Sequence, residues 1–187
     1  MDLFAYLPYT GLSLGTGLPE GWALRECSAH DLWELNRFYG HCSGGLLLDA
    51  MALDHKDTGN GSMEKVYARF GFLRKQKSYA LTHGNELNAV LIVNQSDLGF
   101  NFSELTNGIK ILVTNPKGLP WKVLSIAISR LTNVYQTDRI PVLFYPFDYV
   151  EAENVPYEKK YQAWVLNVEY GNEYMEYMQR KFRIGYK

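Results

Sequence analysis

Apolar and polar positions alternate most regularly between Asn85 and Gln136. Leu87, Ala89, Leu91 and Val93 alternate with a second set that includes Val90 and Ile92, the pattern of a strand buried on both faces. Ile109, Ile111 and Val113 alternate with Lys110 and Thr114, while Leu112 keeps the second face partly apolar. A second internal strand is therefore expected, stopping at Asn115-Pro116. From Trp121 to Tyr135, Leu124, Ala127, Ile128, Leu131, Val134 and Tyr135 recur at helical spacing. Ile140 to Tyr145 is another short apolar run, which completes a strand, crossover helix, strand unit. Handedness rules make its two strands parallel neighbours, and such units bind ligands at the strand ends.

The flanking segments read as support for this unit. Residues 1–21 are rich in Gly, Pro, Leu and Tyr and read as a packed arm, and Trp22 to Glu26 as a strand. Ser28-Ala-His-Asp31 is a capping box, after which Leu32, Leu35, Phe38, Tyr39 and Cys42 follow one helical face up to Gly44-Gly45. Leu46 to Leu53 reads as a turn or two of helix, and Asp54 to Ser62 as the most turn-rich loop. Ser62 is placed to cap a further helix, with Met63, Val66, Tyr67 and Phe70 on its buried face and Gly71 at its end. Arg74 to Thr82 and Glu86 to Asn94, joined by His83-Gly84-Asn85, predict an antiparallel hairpin. Asp97 to Gly108 reads as an irregular connection. Gln162, Trp164, Leu166 and Val168 alternate as a strand, and 172–187 reads as a terminal helix whose Tyr174, Met175, Tyr177, Met178 and Phe182 form either a dimer contact or core. The fold class is mixed α/β in a single domain.

Composition narrows the function more by exclusion than by indication. The 187 residues are 47 % hydrophobic and 14 % aromatic, enough for a real core. A formal net charge of −1 gives no reason to expect a nucleic-acid partner. No apolar run approaches the roughly 18 residues that cross a bilayer, so a soluble, cytoplasmic protein with no membrane partner is expected. Cys27 and Cys42 lack companions at zinc spacing and read as ordinary buried thiols. His30, His41, His55 and His83 form no i, i+4 pair, so no metal site is expected.

The order of elements from Trp22 to Lys160 is strand, one or two helices, three antiparallel strands, helix, strand. It resembles the GCN5-related N-acetyltransferase superfamily. In that family the central strand ends in a loop of pattern Gln/Arg-x-x-Gly-x-Gly/Ala, whose N–H groups and following helix N-terminus hold the pyrophosphate of acyl-CoA. The corresponding segment is Asn115-Pro-Lys-Gly-Leu-Pro-Trp121: Gly118 fits and Lys117 supplies charge, but there is one glycine, and Pro116 and Pro120 each remove a donor. Pro120 equally suits a loop shaped only to start the helix at Trp121. The resemblance implies an acyltransferase using acetyl-CoA or a longer acyl-CoA and a small-molecule amine. Val113, Thr114, Lys117, Gly118, Leu119 and Trp121 would hold the cofactor, with Asp148, Glu151 and Tyr157 as candidate base and acid. A second mark, Tyr67-Ala-Arg-Phe-Gly-Phe72, has the family's Tyr-x-x-x-Gly-Phe form but stands earlier in the chain, so Tyr67, Phe70 and Phe72 are read as core.

Two other readings stay open. One is an acyltransferase-type fold that binds a ligand or partner without catalysis. The other rests on Asn94-Gln-Ser-Asp-Leu-Gly99, which resembles the Asn/Asp-x-Ser-x-x-Gly element by which PilZ domains contact cyclic di-GMP. Arg69 and Arg74 lie upstream at a spacing that departs from Arg-x-x-x-Arg.

Overall fold

The computed structural model describes residues 2–11, 17–43, 47–48, 61–97, 107–136 and 139–163, together with Glu173, Glu176, Tyr177 and Arg180. Its strands are β1 (Asp2–Tyr9), β2 (Trp22–Glu26), β3 (Arg74–His83), β4 (Glu86–Ser96), β5 (Gly108–Val113), β6 (Ile140–Tyr145) and β7 (Lys159–Ala163). Its helices are α1 (Ala29–Ser43), α2 (Gly61–Arg69), α3 (Trp121–Leu131) and α4 (Phe147–Ala152). All seven strands form one mixed sheet in the order β2-β3-β4-β5-β6-β1-β7. Among the described strands only β5 and β6 run parallel, joined through α3 as the apolar periodicity suggests.

Alternation along the central strands places one apolar set on each face, and helices cover both. On the α3 side, Leu91, Ile111, Val113, Val142 and Phe144 pack with Leu124, Ala127, Ile128 and Leu131. On the α1 side, Val90, Ile92, Leu112, Leu143 and Tyr145 pack with Leu35 and Tyr39. Leu87 departs from its expected face and joins Val90 and Ile92. The ladder shifts between Leu81 and Thr82, which pair with Ala89 and Leu87, so Asn88 is the extra residue of a bulge and the pleat reverses there.

The segment expected as a packed arm contributes a full strand. β1 lies between β6 and β7, with Phe4 and Tyr6 on one face and Ala5 and Tyr9 on the other. Its Pro8 faces Pro141, so two residues without an N–H stand opposite each other, beyond the reach of β7.

Several local expectations need correction. The capping box at α1 forms, with Ser28 N–H donating to Asp31 Oδ2 and Asp31 N–H to Ser28 Oγ. α2 begins at Gly61, so Ser62 lies within its first turn. Tyr67 is half-buried, while Phe70 is 73 % and Phe72 43 % exposed, so neither phenylalanine belongs to the core. The turn explains this: the N–H groups of Phe70 and Phe72 both donate to the Tyr67 carbonyl, and Gly71 at φ 76 reverses the chain and carries the rings outward. α3 stops at Leu131, and Val134, in a short 3-10 turn, is exposed. Cys27 is half-buried but Cys42 is exposed.

Leu47 and Leu48 are helical and buried, whereas Gly44–Leu46 and the rest of the Leu46–Leu53 expectation lie outside the described residues. So do the side chains of Met63 and Val66, the connection 98–106, and the strand expectation beyond Ala163. Of the terminal helix, Glu173, Glu176, Tyr177 and Arg180 are described and helical. Among the described residues no helix is long and apolar enough to cross a membrane.

Candidate functional site

The end of the parallel pair is shaped by the bulge. Asn88 offers its carbonyl to the N–H groups of both Thr114 (2.9 Å) and Asn115 (3.2 Å), and Thr114 Oγ1 donates to the Leu87 carbonyl at 2.7 Å. The chain leaving β5 therefore stays against β4. β6 ends with Tyr145 opposite Leu112, and Pro146 then starts α4. The parallel pairing ends at Leu112 and Tyr145, and a cleft of about 440 Å³ lies beyond it. Its walls come from α1 (Phe38, Tyr39, Cys42), from Pro116, from the β6–α4 turn (Tyr145, Pro146, Phe147), and from Leu3, Asp148, Glu151 and Lys160.

Tyr39 and Lys160 of this cleft are already engaged within the protein. Tyr39 donates its hydroxyl to the Tyr145 carbonyl at 2.8 Å, which occupies the last acceptor of β6 and fixes α1 over the cleft. Lys160 Nζ stands 3.9 Å from the centre of the Phe147 ring, a cation–π contact. The Asp148 and Glu151 carboxylates are exposed and have no hydrogen-bond or ion-pair partner among the described residues. These two candidate residues are thus brought together on one wall, three residues apart on α4. Tyr157 is not in the cleft: it is 44 % exposed and meets Phe147 edge-on at 5.2 Å.

The loop before α3 is closed by its own chain. Leu119 is fully buried and half-buried Trp121 packs on Phe144, so these two anchor the loop in the core. Val113 is buried at the end of β5. Lys117 and Gly118 are exposed. The Gly118 N–H donates to Asn115 Oδ1 at 2.9 Å and to the Asn115 carbonyl at 3.2 Å. A Cβ at Gly118 would run into the Asn115 side-chain amide, so a larger residue would have to displace that amide and its hydrogen bond to the Gly118 N–H. Pro120 is the N-cap and supplies no donor, as the sequence suggested.

Glu153 supplies what Pro120 cannot. The end of α4 turns at Asn154 (φ 52), and the Glu153 carboxylate accepts the Trp121 N–H at 2.8 Å. A carboxylate thereby occupies the positive end of α3, where an anion is favoured. It also adjoins Tyr149, a fully buried phenol stacked on Phe144; burial first, and the Glu153 charge second, raise its pKa and keep it neutral.

Neither Glu153 nor the α1 wall was found from sequence. Phe38, Tyr39 and Cys42 carried a signal only as an apolar helical face, and the reach of Glu153 to Trp121 has no signature at any spacing. The Asn94–Gly99 element ends β4: Asn94 is buried with its amide donating to the Ile92 carbonyl, and Leu98 and Gly99 lie outside the described residues. No group of His, Cys, Asp and Glu among the described residues is arranged to hold a metal ion. Comparison with family models, curated proteins and solved structures returned no match.

Proposed function

We propose that the chain is a divergent domain of acyltransferase type that binds a small acyl-bearing molecule in the cleft between the ends of β5 and β6, without using the loop before α3 as a phosphate site. The observation that carries this reading is the cleft beyond the end of the β5–β6 pair, walled by Tyr39, Pro116, Phe147 and two carboxylates that have no partner among the described residues. Strand ends are where open α/β sheets take ligands. The apolar walls suit an acyl or pantetheine chain. The loop is a poor pyrophosphate cradle for three reasons: two prolines lack donors, Gly118 is bonded to Asn115, and Glu153 holds the helix N-terminus.

A second reading, acyl transfer to an amine, is favoured by the position of Asp148 and Glu151. Either carboxylate would accept the proton released as an ammonium becomes a nucleophile, with the acyl carbonyl between the strand ends.

Calorimetry with acetyl-CoA and with acetyl-pantetheine, which lacks the pyrophosphate, separates the cases. The cleft reading expects similar affinity for both and no effect of Lys117→Ala. Tight binding of acetyl-CoA alone, weakened by Lys117→Ala, would move the ligand to the loop, and binding of neither would refute an acyl ligand. Release of thiol from acetyl-CoA in the presence of amines, abolished in the double variant Asp148→Asn, Glu151→Gln, would establish the second reading.

A further inference from the structure

Between Lys65 and Lys77 the chain carries Lys65, Arg69, Arg74, Lys75 and Lys77 and no acidic residue, within a protein of net charge −1. This stretch spans the turn between α2 and β3, well away in sequence from the cleft residues. The turn is tight, because Gly71 lies in the left-handed region and two N–H groups converge on the Tyr67 carbonyl. It projects Phe70, Phe72 and Leu73 into solvent, 73 %, 43 % and 49 % exposed. Three large apolar side chains within four residues form an exposed patch that core packing does not explain.

The charges around this patch are unbalanced. Lys65, Arg69 and Lys75 are exposed and have no acidic partner among the described residues. The nearest carboxylates serve the turn itself: Glu64 Oε1 accepts the Gln76 N–H, and Asp97 Oδ2 accepts the Leu73 N–H. Arg74 lies over the Tyr67 ring at 5.2 Å, and Lys77 has only a long, exposed contact of 3.5 Å with Glu26.

We propose that this turn docks the protein on an anionic lipid surface, with Phe70, Phe72 and Leu73 entering the interface and Lys65, Arg69 and Lys75 meeting the negative headgroups. Two observations favour a bilayer as the occupant. The apolar side chains are exposed on a tight turn, and a bilayer accepts protruding side chains without a matching pocket. The cations flank the apolar tip on both sides in sequence, which is the complement of an anionic headgroup layer over its acyl boundary. Peripheral contact of this kind requires no spanning helix, so it is compatible with the absence of one among the described residues.

The test is vesicle flotation of the intact protein at low and high salt. Vesicles of phosphatidylcholine with phosphatidylglycerol are expected to bind it, vesicles of phosphatidylcholine alone to leave it in solution, and high salt to release it. Arg69→Ala and Lys75→Ala are each expected to weaken partitioning about fivefold. Phe70→Ser combined with Phe72→Ser is expected to abolish it, with an unchanged unfolding midpoint because both rings are exposed. Three results would overturn the proposal: no binding to anionic vesicles at low salt, binding indifferent to all four substitutions, or concentration-dependent self-association lost in the phenylalanine variant while vesicles bind neither form.

Discussion

The loop before α3 and the turn after β6 stand at the same end of the sheet, each carrying the chain from a parallel strand into a helix, yet one is closed and the other open. In the loop, Asn115 takes the Gly118 N–H and Glu153 the Trp121 N–H, two donors that a ligand anion would use. At the turn, a cleft lies beyond the paired strand ends and the carboxylates of Asp148 and Glu151 are left without partners among the described residues. Binding capacity follows unpartnered polar groups beside accessible space. A helix N-terminus alone does not provide it, because a charge-assisted hydrogen bond from within the chain, of the class that contributes about 1.5–3 kcal/mol, must first be displaced.

Both regions rest on the body of α3, so the largest effect should come from that shared support. Ile128 and Leu124 are fully buried against the sheet. Ile128→Ala or Leu124→Ala is expected to cost about 2–5 kcal/mol in denaturant unfolding. A loss below about 0.5 kcal/mol would show that loop and cleft do not share this core.

The caps of α1 and α3 provide a second contrast. α1 is capped locally by Asp31, which is buried and receives both nitrogens of Arg25 at 2.6 and 2.8 Å as well as the Ser28 hydroxyl and N–H. Burial alone would raise its pKa, but the hydrogen bonds from Arg25 and Ser28 outweigh it and hold the carboxyl down at about 2. A depressed carboxyl contributes stability that is fully present above its unfolded value of 3.8 and is lost as pH falls through the folded value near 2. Asp31→Asn is expected to cost about 1–2 kcal/mol at neutral pH and to remove this part of the acid transition between about pH 4 and pH 2. An unaltered acid profile would mean that Asp31 is not the group titrating there.

Glu153 is the distant counterpart. Glu153→Ala is expected to cost about 1 kcal/mol, the usual loss of a helix cap. It also unblocks the N-terminus of α3. If Glu153 alone excludes pyrophosphate, calorimetry should detect CoA binding in this variant that is weaker or absent in the wild type; equal binding in both would place the barrier in the prolines and Asn115.

These contrasts also account for what the sequence disclosed. The parallel pair, the crossover helix, the capping box and the antiparallel strands from β3 to β5 depend on periodicity or short-range spacing, and all were legible. β1 was obscured by the Gly- and Pro-rich stretch around it, although Phe4, Ala5, Tyr6 and Leu7 do alternate; its place between β6 and β7 is a long-range pairing that no local pattern encodes. Phe70 and Phe72 were misread because their residue type outweighed Gly71, whose turn determines where they point. Asp148 and Glu151 were singled out because they follow an apolar strand end, and both line the cleft. Tyr39 and Glu153 were not, since each acts on a residue far away in sequence.

The smallest effect on stability should come from the open side of the comparison, and there its smallness is informative. Asp148 and Glu151 are exposed, carry no partner among the described residues and sit on a short helix held by Phe147, Tyr149 and Val150. Asp148→Asn and Glu151→Gln are therefore expected to change stability by less than about 0.5 kcal/mol each. Ligand binding should respond differently. If the carboxylates contact an amine or act as the base, a thermal shift produced by that amine in the wild type shrinks in both variants, while the shift produced by acetyl-pantetheine, which fills the apolar part of the cleft, is retained. Loss of both shifts would show that the substitutions reshape the cleft, and retention of both would place the carboxylates outside the binding surface.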